Sequence, residues 1–81
     1  MLRKRRNDIG LSLRKLSKLS GISKTYLISM ERYPNKCNPT FEIMFKLEKS
    51  LLVEHGTVYL YFADLRKDIV INTELKDDII E

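Results

Sequence analysis

Lys24, Thr25, Ile28, Ser29 and Arg32 fall on one face of the segment KTYLISMER if it coils as a helix, opposite Leu27 and Met30. Ammonium and guanidinium groups donate hydrogen bonds, and hydroxyls donate and accept them. The chemistry on offer is therefore recognition, not bond making. Taken alone, such a face reads as ordinary solvated surface. Cys37 is the only cysteine and His55 the only histidine, so the chain has no intrachain disulfide framework and no multi-cysteine metal set. Nothing beside either completes a catalytic pair. The expectation is a protein that is not an enzyme and needs no cofactor or metal.

The elements that must position that face are two short helices meeting at a turn, LSLRKLSKLSGISKTYLISMER over 11–32. Leu13, Leu16, Leu19 and Ile22, then Leu27 and Met30, recur every three residues, which suits helical stripes and not strand alternation. Ser12 can cap the first helix, and Gly21 supplies the left-handed turn that other residues enter at a cost. Ser23 can cap the second helix, which ends near Arg32 because Pro34 cannot continue it.

These residues resemble the helix-turn-helix of the Cro/C1-type (Xre) bacterial and phage regulators. Leu11, Ser12, Leu16, Gly21, Ile22, Ser23, Leu27, Met30 and Glu31 fall on that pattern without a gap, and Ser17 replaces its usual small alanine. Leu13 departs from it, standing where the family usually carries a glutamine that contacts the DNA backbone. SKTYLISMER looks like SinR-like repressors; the short chain looks like the controller proteins of restriction-modification systems. The resemblance, weaker outside 11–32, extends over 1–62.

The resemblance implies an all-α, compact five-helix lambda-repressor-like fold, with helices at about 1–8, 12–20, 23–32, 40–55 and 57–67, in a DNA-binding domain over 1–68. It implies that the second helix of the pair enters the major groove, with Lys24, Thr25, Tyr26, Ile28 and Ser29 reading bases and Ile28 able to touch a thymine methyl. Ser12, Arg14, Lys18, Arg32, Lys36 and Asn38 are then placed along the phosphates. It also pairs Arg6 with Glu31. Without the family pattern, Arg6 is one more solvated cation of RKRR and Glu31 a surface acid.

Residues 1–9 are too short to stand as a free helix and must dock. Thr40 can cap a fourth helix with Phe41, Met44, Leu47 and Leu51 inward, stopped by Gly56; the family's common Gly-Val connection is replaced by the longer Leu52-Val53-Glu54-His55-Gly56. Thr57 can cap a fifth, TVYLYFADLRKD, whose Tyr59 and Leu60 lie off the inward face formed by Val58, Tyr61, Phe62 and Leu65. Either they complete the monomer core or, with Ala63, Ile69 and Ile71, they form a two-fold interface between copies. The tail 69–81 reads as a strand at 69–71 or a helix from Thr73, and it can add to a dimer contact.

Eighty-one residues bury only roughly 60 to 65 % of their unfolded surface, so pairing with a copy would help stability. The formal charge of +4 is uneven: residues 1–36 hold ten Lys/Arg and two Asp/Glu, giving +8, while 37–81 hold five and nine, giving −4. A basic half around the recognition face is the footprint of a nucleic-acid surface. No apolar run approaches the roughly 20 residues that span a bilayer, and no signal peptide follows the basic start, so the expected location is cytoplasmic with no membrane partner. The expected function is a sequence-specific regulator binding double-stranded DNA, a repressor acting as a homodimer on an inverted-repeat operator and open to a protein antagonist. The alternative is a protein-binding antirepressor or antitoxin-type module.

Overall fold

The computed structural model describes residues 1–66. Among them are five helices and no strand: α1 (Leu2–Asp8), α2 (Leu13–Ser20), α3 (Lys24–Arg32), a 3-10 turn (Pro34–Lys36), α4 (Phe41–Ser50) and α5 over 57–66. Ser12, Ser23 and Thr40 cap α2, α3 and α4, their hydroxyls accepting from the N–H groups of Lys15, Tyr26 and Ile43 at 3.0, 3.2 and 3.2 Å. Each such cap stabilises its helix by about 1 kcal/mol. Gly21, at φ +73°, ends α2 in the left-handed conformation, and its N–H donates to the Ser17 carbonyl.

The inward row of α2 differs from the expectation. Leu16 and Ser20 are buried and Leu13 and Ser17 half-buried, whereas Leu19 is 56 % exposed. The three-residue spacing drifts around the helix, and the row that meets α3 and α4 runs through 13, 16, 17 and 20. Two serines are tolerable there because the turn uses them. The Ser17 hydroxyl donates to the Ile22 carbonyl (2.6 Å) and Ser20 Oγ accepts from the Ile22 N–H (3.2 Å).

Leu16, Leu27, Met30, Leu47, Leu51 and Val58 fill the centre of the core. The short α1 docks by burying Leu2, and Arg5 donates from Nε to the Leu51 carbonyl (2.9 Å) and from Nη2 to the Leu52 carbonyl (3.1 Å). Those carbonyls lie at the C-terminal end of α4, where a helix lacks internal partners and favours a cation.

Helix α4 stops at Ser50, not at 55. Leu51 donates to the Leu47 carbonyl, Leu52 turns to φ +57°, and the Val53 N–H returns to the Glu48 carbonyl at 3.1 Å. This is a Schellman closure with leucine in the position that glycine favours. Leu52 thus ends the helix, a role the sequence assigned to Gly56. Phe41, expected inward, is 60 % exposed because its place at the first turn of α4 lies beyond the reach of the core.

Helix α5 is not capped by Thr57. Its first turn sits on Glu48 of α4, a side chain only 2 % exposed, whose Oε2 accepts from the N–H groups of Val58 (2.9 Å) and Tyr59 (3.4 Å). A carboxylate at a helix start completes open donors and meets the positive end of the dipole. At the other end Arg66 donates to the Cys37 carbonyl, tying α5 to the loop after α3. The tail alternatives, strand or helix, lie outside the described residues.

Candidate nucleic-acid interface

Leu27 and Met30 anchor α3 from below, and Ile22 closes the turn beside them. With that side fixed, Lys24, Thr25 and Arg32 are exposed and Ile28 and Ser29 half-exposed on the outer side. The Ser29 hydroxyl donates to the Thr25 carbonyl (3.2 Å), which leaves its lone pairs free to accept. Tyr26 is placed differently from its neighbours. Its ring packs half-buried against the core. Burial, and to a lesser extent Cys37, push its hydroxyl up against a counter-pull from Arg66, so it stays a neutral phenol at physiological pH.

Of the residues set along the phosphates by the sequence, Ser12, Arg14, Lys18, Arg32, Lys36 and Asn38 are all exposed. Ser12 also caps α2. Lys36 rests its ammonium over the Tyr33 ring, 5.7 Å from the centroid, on the turn that follows α3. That turn is held at Cys37, buried next to the Arg66 contact described above.

An internal ion pair ties α3 to α1. Arg6 donates from Nε to Glu31 Oε2 (2.7 Å) and from Nη2 to Oε1 (3.0 Å), and its Nη1 donates to the Leu11 carbonyl (2.8 Å). Both side chains are at most 10 % exposed. The two-pronged bond raises the Arg6 pKa further, outweighing the opposite pull of burial. Such fork-to-carboxylate geometry fixes orientation as well as distance.

A helix held by its apolar side and an internal ion pair, with an outer side of cations and hydroxyls framed by further cations, is a helix-turn-helix seated for contact. A family model described as helix-turn-helix matches residues 2–57, more than two thirds of the chain. The chain belongs to the Cro/C1-type helix-turn-helix family. No curated protein and no solved structure matches it. As a member of that family it is a DNA-binding transcription regulator, and the five helices of its described residues form an all-α, lambda-repressor-like architecture. No helix among the described residues is long and apolar enough to cross a membrane.

Two further features of this helix-turn-helix domain bear on function. Tyr59 and Leu60 are 41 % and 60 % exposed and Ala63 is half-buried, while Ile69 and Ile71 lie outside the described residues. The surface around them is wider than the sequence suggested. Phe41 lies 5.5 Å from the Tyr59 ring and 6.0 Å from Phe45, and Phe45 lies 4.6 Å from His55, so α4 and α5 share one exposed aromatic strip. Glu48, which seats α5, was missed entirely. Its only sequence signal is an acid on the same helical row as Met44 and Leu51, and Glu48 stands in a charged run, LEKS, that reads as surface.

Proposed function

We propose that this regulator is a repressor that binds an inverted-repeat operator as a homodimer. Its sequence choice then comes from the outer face of α3, and the observation that carries this is the exposure of Lys24 and Thr25, with Ser29 half-exposed beside them, on a helix whose inner face is locked into the core. Lys24 donates to acceptors on guanine, Thr25 donates or accepts, and Ser29, its proton engaged, accepts from the amino group of adenine or cytosine. Ile28 meets a thymine methyl, and Tyr26 lies at the edge towards a phosphate. Ser12, Arg14, Lys18, Arg32, Lys36 and Asn38 hold the backbone and set affinity without choosing sequence. Recognition of this kind needs no cofactor and no bond making.

Homodimerisation is supported by the aromatic strip of Phe41, Phe45 and Tyr59 with Leu60, apolar surface that a small domain rarely leaves uncovered. A two-fold pair with α3 helices about 34 Å apart would span one DNA turn and occlude a promoter. The same strip favours a second reading, in which a protein antagonist or toxin-type partner occupies it. Stable one-to-one complexes with a different protein and no duplex binding would select that reading.

The test is a pair of variants titrated against duplexes carrying each base at every site position. Lys24→Ala is expected to lose about 1 to 3 kcal/mol at particular base pairs and so change the preferred sequence. Arg14→Ala is expected to weaken all sequences alike and to reduce the salt slope by about 1. Unaltered base preferences in Lys24→Ala would overturn the assignment.

A further inference from the structure

Leu13, in the first turn of α2, and Ile28, midway along the outer face of α3, line one cleft together with Arg3, Arg32, Tyr33 and the Arg6–Glu31 pair. Both apolar side chains are half-exposed. Leu13 packs its inner part against the core, so its outer part is presented without further ordering. Beneath them the Glu31 carboxylate is consumed by Arg6 and nearly closed to solvent, which removes the one negative group that would repel DNA here. With Arg6 and Glu31 spent on each other, the cleft offers Arg3 and Arg32 to phosphates, beside the Tyr33 ring, and two alkyl groups that neither phosphate nor sugar hydroxyl can satisfy.

The major groove presents one apolar group, the C5 methyl of thymine. We propose that Leu13 and Ile28 together form a thymine-methyl reader, with Arg3 and Arg32 holding the flanking backbone, and that Leu13 is a specificity-determining residue of this chain. The proposal rests on the reading that α3 lies in the major groove.

The experiment uses the full chain and a duplex recovered by selection from random sequences, in which each thymine is replaced in turn by deoxyuridine, removing the methyl alone. At one thymine of each half-site the replacement is expected to weaken binding by about fourfold, the effect of burying roughly one methyl group. Leu13→Gln and Ile28→Ala are expected to bind the thymine and uracil duplexes alike at that position, with unchanged circular dichroism. Ile28→Ala, on the outer face of α3, keeps the test decisive if Leu13→Gln unfolds. Equal affinity of the parent for every uracil duplex, or a discrimination that survives in both variants, would overturn the proposal while leaving α3 in the groove. Failure of the parent to bind any duplex would overturn both.

Discussion

Arg6 and Glu31 are joined by two hydrogen bonds in a place that water barely reaches, and among the described residues each is the other's ion-pair partner. Truncating one partner leaves a buried, uncompensated ion. Glu31→Ala is expected to cost about 3 to 5 kcal/mol, much of the stability of a domain this size, and urea unfolding measures it. A loss below about 1 kcal/mol would mean the pair is solvated. Leu52 gives the opposite case. It holds φ +57° with 73 % of its surface in water, so glycine there relieves backbone crowding and forfeits little burial. Leu52→Gly is expected to stabilise by up to about 1 kcal/mol, seen as a higher melting temperature. At this scale the caps and the turn were legible, because Ser12, Ser23, Thr40 and Gly21 act through neighbours within four residues. Leu52 was not, since a leucine carries no sign that its backbone will turn left-handed; only the docking of α1 on the end of α4 reveals why the helix closes there.

Helix α5 depends on one carboxylate from another helix. Burial pushes the Glu48 pKa up, but hydrogen bonds from the N–H groups of Gly56, Val58 and Tyr59, with His55 nearby, pull it further down, and the net value lies below the ordinary 4.5. A carboxyl whose native pKa is depressed stabilises the fold fully above its unfolded pKa and loses that contribution as pH falls through the native value. Glu48→Gln is expected to destabilise by about 1.5 to 3 kcal/mol at pH 7, with the gap to the parent closing in acid below about pH 4.5. Unfolding curves at pH 7 and pH 3 check this, and a gap independent of pH would contradict it. The existence of α5 was legible in its apolar row, with Val58 and Phe62 buried as expected. Its seating was not, because the donors of Val58 and Tyr59 lie ten and eleven residues beyond Glu48, out of range of any local signal.

At the scale of the whole molecule, the excess of positive charge and the aromatic strip fall in different halves of the chain. The basic half, +8 over 1–36, carries α2 and α3, and the aromatic strip of α4 and α5 belongs to the acidic half. Such a division leaves one side for an anionic polymer and another for a protein, and a second copy satisfies the latter while doubling the former. The outer face of α3 was legible in the sequence because Leu27 and Met30 declare the inner one. The breadth of the aromatic strip was not, since it depends on α5 being set beside the first turn of α4, where Phe41 and Tyr59 meet. The most direct measurement is selection of bound sequences from random duplexes by the parent chain. The expected result is a two-fold site with half-site centres about 10 to 10.5 base pairs apart, or a multiple of that spacing. Recovery of a pool no different from the starting one would contradict it.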